Sequence, residues 1–286
     1  MKIAGAPISW GVCEVPGWGY QMAPERVLTE MKEIGLTATE FGPAGWLPTD
    51  PAARAEAIKP YGLKPVGSFF LAVMHDPDVD PLPAVERELD AFEAAGGEFL
   101  VLAADSGRDG YDDRPVLDEQ GWATLFANMS KIADACAARG VTAVLHPHWG
   151  TMVQNVDEVE RVLDNSSVGL CLDTGHLAAG GADVVELVRK YAKRVGIVHA
   201  KDVRKELVDK LLPGELTWSE AIKGGVFTPI GEGDIDFATI VKLLDEAGFD
   251  GYYVLEQDKM LDEEPPADGG PIVEAKKSLE ALQALA

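Results

Sequence analysis

Short apolar runs alternate along the chain with longer stretches in which apolar residues recur every three or four positions. The runs read as strands and the longer stretches as amphipathic helices. Strands are expected over 3–8, 38–41, 64–70, 99–103, 141–145, 168–172, 195–199 and 251–256. Helices are expected over 24–34, 51–61, 82–95, 118–139, 155–163, 183–193 and 237–247, with a last one starting near Gly270. Pro24 suits a first helical turn, Gly35 and the pair Gly96-Gly97 suit helix ends, and Asn155 suits a cap. The stretch 201–235 shows no period and reads as irregular.

The runs at 141–145 (VTAVL) and 168–172 (VGLCL) carry no polar alternation. That is the pattern of parallel strands buried on both faces. Eight βα units without a break in composition point to one α/β domain over 1–286, a (β/α)8 TIM barrel. The competing architecture is an open doubly wound sheet. Neither its GxGxxG turn nor a GxxxxGK[ST] loop occurs in the chain.

Charge changes the picture of partners. A net charge of −23 repels nucleic acid and anionic membrane, so neither is expected as a partner. A small anionic substrate stays open, because a bound metal inverts the local field. No run approaches the roughly 20 apolar residues that span a bilayer, and residues 1–12 lack the apolar stretch of a signal peptide. Cys13, Cys136 and Cys171 form no CxxC pair, which suits a reducing compartment. The expectation is a soluble cytoplasmic protein, with a homo-oligomer compatible with the sequence.

The candidate chemistry lies at strand ends. All five histidines, His75, His146, His148, His176 and His199, fall at or just past the C-terminal ends of expected strands, and none inside an expected helix. That edge of a TIM barrel is where active sites form. VLHPHWG places His146 one step past its strand, LCLDTGH places Asp173 past the next, and VHAKD and YYVLEQD put His199 and Glu256 at two more tips. Neighbouring strands bring these tips together. Two imidazoles and two carboxylates suit a divalent metal: manganese or cobalt first, with zinc and magnesium also compatible. His148, across Pro147, competes with His146 for the first ligand position. Such a site keeps positions open for substrate oxygens, polarises a carbonyl and stabilises an enediolate. Asp76, Asp78 and Asp80 have calcium-loop spacing but lack the Gly and Glu of such a loop, and read as solvated. The acidic run 262–264 reads as surface, and Lys201-Asp202 admits the same reading.

These residues resemble the xylose isomerase-like TIM barrels. The elements Asp173–His176 and His199–Asp202 are similar to the D-x-x-H and H-x-K-D elements of that superfamily. Within it the likeness is to the inosose dehydratases of inositol catabolism, through APISW, HPHWGTMVQ, LDTGHL, HAKDVR, FTPIGEGDIDF and LEQD, over nearly the whole chain. The resemblance implies a metal-dependent lyase or isomerase acting on a small keto-polyol, foremost the dehydration of an inosose-like substrate. Glu256 is the implied base, His148 or His176 the acid, and Lys201 the stabiliser of enolate charge. From their places at strand ends, Trp10, Glu14, Glu40, His75 and Trp149 are the expected substrate contacts, the indoles suiting the C–H face of a ring sugar.

The sequence departs from relatives in three places. Where ketose 3-epimerases carry a first-ligand Glu that is also a catalytic base, this chain has His146. Losing that carboxylate tilts the expectation from epimerisation towards elimination of water. Pro147 interrupts a His triplet, and the loop after Trp10 lacks an Asn-Asp pair, so the substrate itself is open to change. The other readings are a ketose isomerase or epimerase and a non-catalytic sugar-binding barrel. Endonuclease IV, a further relative, needs more metal ligands and a basic DNA face, which this chain lacks.

Overall fold

Every strand of the barrel has two apolar surfaces to bury, and the architecture follows from that. The computed structural model describes residues 1–267 and 269–286. In chain order its elements are β1 (Lys2–Gly5), α1 (Pro24–Glu33), β2 (Ala38–Glu40), α2 (Pro51–Ile58), β3 (Lys64–Ala72), α3 (Leu82–Ala95), β4 (Phe99–Ala104), α4 (Glu119–Ala138), β5 (Thr142–Leu145), α5 (Val156–Asn165) and β6 (Gly169–Asp173). There follow α6 (Thr174–Ala179), α7 (Val184–Tyr191), β7 (Val195–Ala200), β8 (Asp202–Val203), α8 (Lys205–Val208), α9 (Trp218–Lys223), β9 (Phe227–Thr228), α10 (Phe237–Glu246), β10 (Tyr252–Leu255) and α11 (Pro271–Gln283). Strands pair in the closed order β1-β10-β7-β6-β5-β4-β3-β2, and β1 closes the ring by pairing in parallel with both β10 and β2. This is a single TIM barrel.

Residues alternate between the two faces. Ala4, Ala38, Val66, Val101, Val144, Cys171, Ile197 and Val254 point inward and pack as a floor inside the barrel. Their neighbours Leu100, Leu102, Leu145, Leu170, Leu172, Val198 and Leu255 point outward into the main core under the helices. Each fully buried large aliphatic side chain stabilises the fold by about 1.5–3 kcal/mol relative to exposure. Two steps beyond the floor the inward positions turn polar: Glu40, His146, Asp173, His199 and Glu256.

Helix starts are encoded locally. Asp50, Asp118, Asn155, Asp183, Thr217 and Asp236 each accept a hydrogen bond from the backbone three residues on, and Asn155 with Glu158 forms a full capping box. Such caps are worth about 1 kcal/mol each.

Three regions differ from expectation. The strand over 3–8 stops at Gly5, because Pro7 has no N–H to donate and Pro7–Trp10 curls into a 3-10 turn closed by Gly11 at φ 78°. Asp173 caps a short helix, α6, which therefore contains His176 instead of leaving it in a loop. The stretch 201–235 is ordered: β8 pairs antiparallel with β9, and α8 and α9 lie between them. Its organiser is Asp202, which is buried and accepts from the backbone N–H of Val203, Gly231, Gly233 and Ile235 at 2.8–3.0 Å. A Cβ at Gly233 would stand 2.3 Å from Asp202 Oδ1, so only glycine fits. Among the described residues, no helix is long and apolar enough to cross a membrane.

Candidate metal centre

Parallel register puts the polar tips at one level. Asp173 pairs with His199 across β6 and β7, Leu255 pairs with Ala200 across β10 and β7, and Leu145 pairs with Leu170 across β5 and β6. As a result one ligand atom each from His146, Asp173, His199 and Glu256 lies within 4.8 Å of all the others. Of the two histidines flanking Pro147, it is His146 whose ring nitrogen joins this cluster, while His148 Nδ1 is engaged by the Trp149 carbonyl at 2.7 Å.

The donors are oriented from behind. Glu40 Oε1 accepts from His199 Nε2 at 2.9 Å. That bond turns His199 Nδ1 towards Glu256 Oε2, 2.8 Å away, and Asp173 Oδ2, 3.7 Å away. His199 Nδ1 and Glu256 Oε2 are close yet not hydrogen-bonded, and both are buried without a hydrogen-bond partner. Buried polar atoms left unpaired cost about 1–3 kcal/mol each. With His146 and Asp173, whose Nε2 and Oδ2 stand 3.3 Å apart, these two residues make four ligand groups converging on one point, which fits a divalent cation, and the N₂O₂ set suits manganese, cobalt or zinc. The field agrees. Burial opposes charge on His199, but Cys171, Glu256 and Glu40 lift its pKa well above the ordinary histidine value. The carboxylates around this point favour a positive charge there.

A second polar layer lies above the ligands. Lys201, two residues past His199, is buried, and its Nζ stands 2.7 Å from Asp258, 3.2 Å from Glu256 and 3.4 Å from Asp173. Burial works against the ammonium, but Asp173, Asp258 and Glu256 hold its pKa up. Glu256 is pushed the other way: burial raises it, and His199 and Lys201 bring it well below the usual carboxylate range. Asp258 is lifted to about 7, by burial first and then by Glu256, against the pull of Lys201. The rings of His148 and His176 lie against each other, tilted by 33°, with centroids 3.9 Å apart. Burial pushes both well below the ordinary histidine value, helped by neighbouring histidines and Lys201.

Above these layers opens a cavity of about 260 Å³, at the small end for ligand pockets. Glu14, Glu40, His146, His148, His176, Lys201 and Glu256 line it, as expected from the sequence. Trp10, Trp149 and His75 do not. The indole of Trp10 is wholly buried, donating Nε1–H to Glu30 Oε2 at 2.7 Å under α1. Trp149 stands behind the wall, stacked on Trp218 with centroids 5.6 Å apart. His75 follows β3 on a loop that turns away, with Asp76 Oδ1 accepting from the Asp78 N–H and Asp80 Oδ1 from the Leu82 N–H, so these acids are turn formers.

Asp258, Tyr111, Trp18 and Trp218 line the cavity without having been singled out. Asp258 had a readable signal, since it continues the inward period Val254, Glu256, Asp258 exactly as Lys201 continues Ile197, His199. Trp18 and Tyr111 come from long loops and Trp218 opens α9, and only the tertiary fold brings the three in. Trp18 reaches the site by donating to the Lys259 carbonyl at 2.6 Å. Tyr111 donates to Glu14 and packs on His148.

The comparisons with known proteins agree with this geometry. The model of the xylose isomerase-like TIM barrel family matches residues 28–285. The chain is 30% identical to an inosose dehydratase of Geobacillus thermodenitrificans, over 99% of this chain and 96% of the relative. It is 32% identical to the rhizopine catabolism protein MocC of Rhizobium meliloti, over 100% and 89%. Among solved structures, an L-ribulose 3-epimerase superposes with a TM-score of 0.73 at 17% identity, covering 100% of this chain and 94% of the other. The IOLI protein, solved with a bound zinc atom, gives 0.72 at 15%, covering 100% and 98%. The chain belongs to the xylose isomerase-like TIM barrel family and is an enzyme of its dehydratase or sugar isomerase/epimerase kind.

Proposed function

We propose that this enzyme removes water from a neutral, cyclic polyhydroxy ketone of the inosose type, with a divalent cation held by His146, Asp173, His199 and Glu256. Bound there, the cation supplies Lewis-acid polarisation of the ketone. The remaining work belongs to side chains. A proton leaves the carbon beside the ketone, the hydroxyl on the next carbon gains a proton and departs as water, and a C=C bond forms between the two carbons.

One observation carries this reading: the acid-base groups stand on one side. His148 follows β5, His176 lies in α6 after β6, Lys201 follows β7, and Glu256 and Asp258 follow β10. These four strands are consecutive in the ring. The other half of the cavity is built by Ile8, Pro43, Ala44, Phe69, Phe70 and Leu71. Its carboxylates are engaged, Glu40 with His199 and Glu14 with Tyr111. Epimerisation through two bases needs a free one on each face of the carbon. Elimination needs an acid and a base on one side, which this arrangement supplies. The apolar half suits the C–H face of a ring.

Charge supports a neutral substrate. Among the described residues lining the cavity, Lys201 is the lone Lys or Arg, and three carboxylates within 3.4 Å already claim it. No free cation is left for a phosphate or carboxylate. The likeness to inosose dehydratases over nearly full length points the same way.

The test is to supply the manganese- or cobalt-loaded enzyme with inosose and to follow ultraviolet absorbance of the unsaturated or dione product, beside a panel of free ketoses. Dehydration of inosose without epimer formation is expected. Epimerised ketose with untouched inosose would overturn the reading.

A further inference from the structure

The adjoining pair His148 and His176 is chemically asymmetric, and one residue's backbone makes it so. The Trp149 carbonyl can only accept, so at 2.7 Å it requires the proton of His148 to sit on Nδ1. The Trp149 N–H can only donate, so at 3.2 Å it requires a lone pair on His176 Nδ1. A ring that accepts at Nδ1 must hold its proton on Nε2, and His148, already donating from Nδ1, has no carboxylate paired with it among the described residues to hold a second proton. His148 Nε2 carries a lone pair, and His176 Nε2 carries the proton.

We propose that the two backbone groups of Trp149 lock His148 and His176 into opposite tautomers, giving the cavity wall one fixed hydrogen-bond acceptor and one fixed donor. Trp149 is thus a positioning residue that acts through its main chain, while its indole stays out of the cavity. The turn that holds it is over-determined. His148 N–H donates to the Val153 carbonyl at 3.1 Å, the Thr151 hydroxyl donates to the His148 carbonyl at 2.9 Å, and the Gly150 N–H donates to Gln154 Oε1 at 2.8 Å. Gly150 sits at φ +75°, and a Cβ there would meet the Tyr111 backbone at 2.5 Å. The backbone of Trp149 therefore has one orientation open to it.

The donor has no protein partner to spend its proton on. His176 Nε2 is buried without a hydrogen bond, and Asp258 Oδ2 is 3.8 Å away. It is placed to donate to a substrate hydroxyl, while His148 offers a lone pair. A wall with fixed polarity tells an acceptor-only ketone oxygen, which only the donor ring can serve, from a hydroxyl, which can meet either ring. The polarity of the pair stands by itself. Its use on a departing hydroxyl rests on the dehydratase reading above.

The two are separated by recording ¹⁵N spectra of the protein labelled at its histidines, zinc-loaded and metal-free at neutral pH. Protonated and bare ring nitrogens resonate far apart, and His148→Gln and His176→Gln identify the two spin systems by loss of signal. The expected result is His148 protonated at Nδ1 alone and His176 at Nε2 alone. The same tautomer in both, or double protonation of either, overturns the proposal. Should neither variant fold, wild-type spectra must still contain one neutral histidine of each kind, and their absence is equally decisive. A folded Gly150→Ala protein should show mixed tautomers, and an unchanged pattern would remove Trp149 as the selector. Opposite tautomers in a protein that leaves inosose intact would instead sink the dehydratase reading alone.

Discussion

The two halves of the barrel mouth are built from different materials. Strands β5, β6, β7 and β10 deliver His146, His148, Asp173, His199, Lys201, Glu256 and Asp258, with His176 on the helix that follows β6. Strands β1 to β4 deliver Ile8, Phe69, Phe70 and Leu71, and only Glu40 crosses over to brace His199. Chemistry sits on one half and shape on the other. The polar half is over-determined, since each charge is held by several neighbours of opposite sign. The apolar half is held by packing alone. A family that changes substrate while keeping its reaction has the second half to vary.

This division makes graded predictions. The largest effect belongs to the ligands: His199→Ala or Glu256→Gln should abolish both metal content by elemental analysis and turnover. Full metal content with full activity in either variant would dissolve the distinction between the halves. Next, Lys201→Met should lower kcat by about 10²–10³-fold with KM nearly unchanged, the scale of losing one preorganised electrostatic contact in a transition state. A rise confined to KM would move Lys201 to the binding half.

Glu40→Gln is the sharper probe, because Glu40 comes from the apolar side yet acts on the polar one. Metal affinity should fall about 10–100-fold, as when a partner behind a metal ligand is lost, measured by titration against a chelator. An unchanged affinity would make Glu40 a pocket residue only. On the apolar half, Phe69→Ala should raise KM by about 10–100-fold, from roughly 1.5–3 kcal/mol of burial lost, and leave the metal in place. Smallest is Trp10→Phe. Removing the Nε1–H that Glu30 accepts should cost about 1–3 kcal/mol in denaturant unfolding without moving KM. A changed KM would return Trp10 to the substrate.

The polar half was the readable one. Its residues follow strands at fixed offsets, so His146, Asp173, His199 and Glu256 could be placed from the ends of VTAVL, VGLCL, VGIVH and YYVL. Extending the same period by two reaches Lys201 and also Asp258, which was legible and passed over. Trp10 and Trp149 misled for a common reason. An indole near a strand end is equally good as wall or as packing, and its direction is set by a partner, Glu30 for one and Trp218 for the other. His176 was placed in a loop because the cap that starts α6 is Asp173 itself, a residue already claimed as a ligand.

What the sequence determined alone is whatever the backbone period carries: eight buried strands, the helices that cover them, and a set of polar residues two positions beyond the apolar floor. Burial on both faces leaves a parallel strand no choice of composition, so the pattern is strong. Tertiary structure decided what depends on contacts between distant segments. Closing the ring between β1 and β10 set Glu40 behind His199, and folding 201–235 around Asp202 carried Trp218 against His176. The tautomers of His148 and His176 belong to this second kind, because a hydrogen atom's position on an imidazole is fixed by the backbone it meets and leaves no trace in the order of residues.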